Sequence, residues 1–405
     1  MSDKRREALD GLGVVYFGND WFAENRTSSH HVSERLSRSM PVLYVDSPGL
    51  RPPSGSGRDL KRAVRKVFSA LRPPIRINER MWHCTVPQLP FRRVPGVEAF
   101  NRLFSQWAVR RAMRHAGIKR RLSWFHVPHP GFLAHKLGED MCVYYCIDDY
   151  AALPGVDEKL IFQRDQELSR AADLLFVAPP ALVEPKRQLN ASTVYSPHGV
   201  DADLFRQAAD PATPVAEMAA ALPKPVIGYF GLLHEWIDLD LIEWLARERP
   251  QWSFLLIGHA ATDVSALRAL PNVCLAGSQP YKTLPQWAKA FDAAIIPYRL
   301  NRFVTNNNPL KLREYLATGK PVVSVRNREI SKFENHVTIA DDRAGFLAGL
   351  DHAIASDSPE AAAARMHSVA DLTWDARVDQ VLDTVAHALE AKRAGAPILV
   401  PEVAA

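Results

Sequence analysis

Short apolar runs recur along the chain, separated by segments of helical periodicity. In the first half the runs are Val14–Phe17, Val42–Val45, Leu122–Val127, Val143–Ile147, Leu174–Ala178 and Thr193–Ser196. After a stretch rich in Ala, Pro and Asp (202–223), a second series follows: Val226–Phe230, Phe254–Ile257, Val273–Leu275, Ala293–Ile296 and Val322–Val325. Strands that alternate with helices, twice over, predict an α/β protein of two doubly wound parallel sheets with a hinge near residue 205. Ligands of such sheets bind at the carboxyl ends of the strands, so a cleft between two domains is the expected active site.

The stretch NNNPLKLREYLATGKPVVSV (306–325) carries the most specific local signal. Asn308 suits an N-cap and Pro309 the first helical position; Leu310, Leu312, Tyr315 and Leu316 lead to Gly319, a left-handed terminator. A helix is therefore predicted from Pro309. Its N-terminus offers free N–H groups and a positive dipole end, and Lys311 adds a full positive charge, which together suit a phosphate. Glu314 lies one turn deeper on the side of Lys311, placed to accept from a vicinal diol such as a ribose. An ordinary surface Lys–Glu pair has the same i, i+3 spacing.

Other strand ends supply further candidates. Gly231 and Gly258 each follow a strand, where a glycine lets the backbone approach a phosphate or merely serves the turn. Gly277 to Tyr281 offer main-chain groups and an aromatic for a nucleobase. In the first half, NDWFAENRTSSHH brings Asp20, Trp21, Arg26 and His30 as acceptor-side candidates, and HVPHP brings His126 and His129. CIDDY ends a strand with Asp148 and Asp149. Paired carboxylates there serve as a general base or bind hydroxyls, unless Asp149 only caps the next turn. Asp148, Asp149 and His129 are the candidate catalytic residues. No third ligand stands at useful spacing from the two histidines, so no metal site is expected.

At 405 residues the chain exceeds a single core. With 47% hydrophobic and 23% charged residues and mean hydropathy −0.17, a soluble globular protein is expected. Without a membrane span or a signal peptide, the expected location is cytoplasmic. Cys84, Cys142, Cys146 and Cys274 lack zinc-type spacing and read as free thiols. The net charge of +5 is uneven: residues 51–121 hold about 18 Lys and Arg against about 3 acids. Within that region, 58–72 places Leu60, Val64, Val67, Phe68 and Leu71 on one helical face and five basic residues on the other. Such a helix adsorbs to anionic membranes, although an apolar stripe buried in a core has the same pattern. Interleaved exposed aromatics are missing from the segment, so no nucleic-acid partner is expected.

The order of the second-half motifs adds a resemblance. SPHGVDADLF, PVIGYFGLL, WSFLLIG, LPNVCLAGSQPYKTLPQWAKAFDAAIIPY, NPLKLREYLATGKPVVS and TWDARVDQVLDTV resemble, in sequence and order, the family-4-like glycosyltransferases (glycosyl transferases group 1). NDW, PVLYVD and CIDDY look like a bacterial cell-surface polysaccharide branch of that group. The resemblance implies a GT-B fold of two Rossmann-like domains facing each other across a cleft. An acceptor-side domain would cover 1–204 and a nucleotide-sugar domain 205–370; a helix over 371–392 would pack back across the junction, before a tail at 393–405. It also implies a UDP- or GDP-linked donor, with the ribose on Glu314 and phosphates on Lys311, near Gly231, Gly258, Gly277, Tyr281, Arg299 and Asn306. The acceptor would be lipid-linked or a polysaccharide, no metal would be required, and the protein would sit peripherally on the inner face of the plasma membrane. Two departures stand out: Asn306 occupies the position of the first of the family's paired glutamates, eight before Glu314, and GLLHEW lacks the usual basic residues. Arg299 and Lys311 would then supply the positive charge. The retaining outcome is not carried over, and an inverting reaction would use Asp148 or Asp149 as base. A sugar-nucleotide epimerase or phosphorylase and a catalytically silent binding subunit are the competing expectations.

Overall fold

The structure, a computed structural model, describes residues 3–47, 72–86 and 95–400. Residues 58–71 of the expected amphipathic helix lie outside the described residues. The chain divides into two compact units, Met1–Pro197 with Arg377–Ala405, and His198–Ala376. The division falls somewhat before the hinge expected near residue 205. The last helix, Trp374–Arg393, belongs to the first unit from Arg377 onward. There Arg5 donates to Asp379 at 2.8 Å and to Asp383 at 3.3 Å, and Lys392 pairs with Asp173 at 2.7 Å.

The first unit is an eight-stranded sheet of β1 (Leu12–Gly18), β2 (Val42–Asp46), β3 (Ile75–Asn78), β4 (Met81–Thr85), β5 (Arg120–Phe125), β6 (Met141–Cys146), β7 (Leu174–Val177) and β8 (Thr193–Tyr195). Their order is β3-β4-β2-β1-β5-β6-β7-β8, parallel except for the β3–β4 pair. The apolar pattern does not announce β3 and β4, because IRIN is an exposed edge strand and MWHCT lacks a β-branched run. Side chains alternate across this sheet. Val15, Phe17, Leu43, Val45 and Phe125 form an apolar core with Val109 and Met113 of helix Val97–His115 and Leu168 of helix Glu158–Ala171. Cys142 and Cys146 are buried free thiols in that core, whereas Cys84 and Cys274 are half-buried.

The opposite face carries Tyr16, Tyr44 and Trp124 in an aromatic row. Helix Ser28–Ser39 meets this face with buried polar residues, among them Ser28, Ser29, His30 and His31. Such burial is tolerated only when hydrogen bonds replace water. Ser28 Oγ lies 3.0 Å from His126 Nε2, and His126 Nδ1 lies 2.9 Å from the Tyr16 hydroxyl, so one ring nitrogen donates and the other accepts. Ser29 Oγ lies 3.1 Å from the Tyr44 hydroxyl, which donates to the Asn19 carbonyl at 2.7 Å. Burial holds His126 neutral, with its pKa down at about 3, and His30 is lowered for the same first reason.

The second unit is a six-stranded, all-parallel sheet of β9 (Val226–Phe230), β10 (Ser253–Ile257), β11 (Val273–Gly277), β12 (Ala293–Ile296), β13 (Val322–Val325) and β14 (Thr338–Ala340). Its order, β11-β10-β9-β12-β13-β14, is the doubly wound arrangement in which the winding reverses at the first strand. The carboxyl ends of β9 and β12 therefore flank the crevice where such a sheet takes its ligand.

Because the His126 pKa falls below its unfolded value, its contribution to stability is fully present above about pH 6.5 and is lost as the pH drops toward about 3. Acid should therefore destabilise the first unit by about 1.4 kcal/mol per pH unit over that window from this group alone. His126→Gln should show a shallower acid limb in urea titrations repeated across pH, and an unchanged limb would assign the acid sensitivity to other groups.

Candidate functional site

Helix Leu310–Ala317 begins one residue later than the sequence suggests, with extended Pro309 at the N-cap and no side-chain cap. Asn308 serves a different partner, accepting from Arg313 Nη1 at 2.8 Å. Arg313 is buried and ion-paired with buried Glu329. Beside them, Asn327 Nδ2 donates to the Val304 carbonyl at 2.6 Å and to Asn307 Oδ1 at 3.1 Å, and Asn327 Oδ1 accepts from Glu329 N at 2.8 Å. The polar cluster beneath the asparagine run thus fixes the loop that leads into the helix.

Lys311 and Glu314 do not pair with each other. The Lys311 ammonium donates to the hydroxyls of Tyr229 at 3.2 Å and Tyr298 at 3.3 Å, and sits 4.8 and 5.1 Å from their ring centroids. Tyr229 comes from β9 and Tyr298 from just past β12, so the two strand ends at the winding reversal cradle the cation. Burial lowers the Lys311 pKa to about 8, against the pull of Glu314. Glu314 is itself buried, which raises its pKa to about 7, although the Tyr281 hydroxyl donates to its Oε1 at 3.1 Å. The Tyr281 ring meets Phe205 edge-on at 5.6 Å. A carboxylate held near its titration point thus stands beside a cation that, among the described residues, has no carboxylate ion-pair partner.

The glycines are explained by close approach. Gly231 has φ 134°, and a Cβ there would lie 3.1 Å from Lys311 Cε. Gly258 has φ 145°, and its Cβ would fall 2.0 Å from the Gly231 carbonyl oxygen. The two loops interlock, since Gly231 N donates to the Ile257 carbonyl at 2.8 Å and Gly258 N to the Gly277 carbonyl at 2.8 Å. Arg299 pairs with Asp240 at 2.6 Å and lies 3.8 Å from Asp238, acids of the neighbouring helix Leu239–Glu248 and its N-cap. Asn306 caps the carboxyl end of the short helix Arg302–Thr305, its N–H bonded to the Arg302 carbonyl. His234 and Arg299 line a cavity of about 220 Å³ beside the β9 loop.

In the first unit the candidates also gather at strand ends. Asp148 and Asp149 follow β6 and are half-buried. Burial, then the charge of Asp149, raises the Asp148 pKa to about 7. Asp149 is the N-cap residue of the turn Tyr150–Ala152, without a side-chain cap hydrogen bond. His129 is buried at the start of the turn His129–Leu133 after β5. Asp20 accepts from Phe22 N at 3.0 Å within its own loop, and Arg26 pairs with Glu34. Trp21 packs edge-on against Tyr44, its carbonyl lies 3.1 Å from His30 Nε2, and its N–H donates to Asp46 at 2.9 Å. These contacts give Trp21 and His30 a role in building the loop. The other oxygen of Asp46 lies 2.8 Å from His83 Nε2, a buried pair that the sequence pattern does not reveal because β4 is unmarked.

Residues 224–370 match the family described as Glycosyl transferases group 1. The matched residues lie within the second unit, His198–Ala376. Over 227 residues the chain is 29% identical to a Bacillus subtilis (strain 168) protein named as the teichuronic acid biosynthesis glycosyltransferase TuaH. That match covers 52% of this chain and 57% of the relative, so a little over half of the relative's length is represented. The sucrose-phosphate synthase of Thermosynechococcus elongatus superposes with TM-score 0.68 at 14% identity, over 94% of this chain and 99% of that one. HepE of Anabaena, solved in complex with UDP, superposes with TM-score 0.61 at 14% identity, over 92% and 98%. At such identity the likeness is one of fold, and that fold is GT-B. The Lys311–Glu314 helix lies inside the residues that match this family.

Replacing Glu329 by Ala leaves the Arg313 charge buried without its carboxylate and should cost about 3–5 kcal/mol of stability. The double replacement Arg313→Met with Glu329→Leu should cost less. Urea unfolding of both variants checks this, and equal losses would assign the effect to volume rather than charge.

Proposed function

We propose that the protein is a glycosyltransferase that moves a sugar from a nucleotide-sugar donor to a hydroxyl of a surface-glycan or lipid-linked acceptor. The observation that carries this reading is the Lys311 ammonium, held by two tyrosines at the N-terminus of a helix, with buried Glu314 one turn on. The diphosphate of a donor meets the cation and the free N–H groups of the first helical turn; the ribose hydroxyls donate to Glu314, and the base lies near Tyr281. As the sugar leaves, negative charge grows on the diphosphate, and preorganised donors stabilise it more than they stabilise the bound donor. No metal is assigned a part in this scheme. The donor in this reading is UDP- or GDP-linked, and the name of the Bacillus relative supports a cell-surface polysaccharide as product.

The acceptor is assigned to the first unit. Asp148, with its pKa near 7, takes the proton from the attacking hydroxyl, and Asp149 orients it. A location on the inner face of the membrane suits a lipid-linked acceptor and the basic segment 58–72. Among the described residues no helix is long and apolar enough to cross a membrane.

Lys311→Ala should weaken a nucleoside diphosphate far more than the bare nucleoside. Glu314→Ala should abolish the roughly 1.5–3 kcal/mol preference for ribose over 2′-deoxyribose. In the unsubstituted protein, diphosphate affinity should fall as the pH rises through about 8, where Lys311 loses its proton. Calorimetric titration reads all three; unchanged affinity in both variants would remove the site. Donor binding without turnover toward any acceptor would favour a silent binding subunit, which Asn306 and the balanced charge of Arg299 would suit.

For the base, Asp148 is active only when ionised, so turnover should rise with pH through about 7. Asp148→Asn should cut turnover by about 10²-fold or more and leave nucleotide affinity intact. Full activity in both Asp148→Asn and Asp149→Asn would exclude the pair.

A further inference from the structure

Helix Val97–His115 is inside out over its first half. Its buried face carries Asn101 and Ser105, 4% and 1% exposed, while Phe100, Leu103 and Trp107 stand 45%, 69% and 43% exposed on the outside. Phe104 joins the two rings of this side, stacked 5.5 Å from Phe100 and tilted 5.7 Å from Trp107. Further along the same outer side the residues turn cationic, with Arg110 and Arg114 exposed and Arg111 half-buried. Leu103, Trp107, Arg110, Arg114 and Lys119 line a groove of about 760 Å³, and a second groove of about 520 Å³ joins Trp107 to Arg111 and Arg114. Neither lining contains an acid, and among the described residues none of these cations pairs with a carboxylate. Arg110 does donate to the Lys136 carbonyl at 2.7 Å, which leaves its charge unbalanced.

An apolar patch rimmed by unbalanced cations selects its occupant by charge. The chain's own segment 58–71 is itself basic and would bring like charges together. A second copy docking through the same face would do the same across a two-fold axis. An anionic bilayer satisfies both parts: phosphate headgroups meet the arginines, while Phe100, Leu103 and Trp107 enter the boundary between headgroups and acyl chains.

We infer that the outer face of helix Val97–His115 is a docking surface for anionic lipid. It gives the peripheral location proposed above a described surface, and it does not depend on the reaction.

Flotation of the full chain tests this, with vesicles of phosphatidylcholine alone or mixed with phosphatidylglycerol. The protein should bind the anionic vesicles, release them as salt rises, and bind the neutral ones weakly. Leu103→Ser and Trp107→Ser should each weaken anionic binding about tenfold or more. Arg110→Glu with Arg114→Glu should remove the preference for anionic lipid. Since these side chains are exposed, thermal unfolding and nucleoside diphosphate affinity should stay unchanged. Vesicle binding by a protein that binds no nucleotide would leave the surface standing and sink the donor reading alone. Absence of vesicle binding, or unaltered binding in all these variants, would overturn the inference. So would a dimer, detected by light scattering, that Trp107→Ser dissolves while vesicle binding persists.

Discussion

Seating an ammonium between two tyrosine rings strips it of water, and the arrangement survives because the rings and their hydroxyls replace part of what was lost. Much of the second unit serves this placement of Lys311. The parallel order brings the ends of β9 and β12 side by side, which sets Tyr229 and Tyr298 across from each other. Gly231 keeps the space above the lysine open, and Gly258 lets the adjoining loop close against Gly231. Under the helix, the Arg313–Glu329 pair ties the preceding asparagines so that the first turn points the same way. Binding energy from a phosphate would be realised against this prepared cation.

Glu314 makes the opposite compromise. Its raised pKa means that the folded state gains from its proton below about pH 4.5 and loses that gain as the pH climbs through about 7. Near neutrality the unliganded protein thus holds a carboxylate that would be better solvated elsewhere. Stability is given up where a ligand can return it. The first unit shows the reverse logic at His126, whose two ring nitrogens are hydrogen-bonded internally and whose charge is suppressed.

Eleven of the strands were visible as apolar runs because parallel strands covered on both faces need such runs. β3, β4 and β14 were not: one is an exposed edge, one mixes Trp, His and Cys, and one has only three residues. The Lys311–Glu314 helix was legible from its Pro and Gly punctuation, displaced by one residue because Asn308 answers to Arg313 rather than to the helix. What sequence spacing could not supply was the set of partners remote in the chain: Tyr229 with Lys311, Asp240 with Arg299, His83 with Asp46. Each depends on which strands become neighbours. Helix Val97–His115 was not read from the sequence, and only the fold reveals which of its apolar residues were left outside.

The Arg5 contacts bear on how the molecule is made. Its two carboxylate partners, Asp379 and Asp383, follow the contiguous residues 198–376 in the chain, so they leave a ribosome after the whole of the second unit. The nascent first unit therefore has to hold its opening helix without these ion pairs while the whole of the second is translated. Of these two units, the one that begins first is completed second.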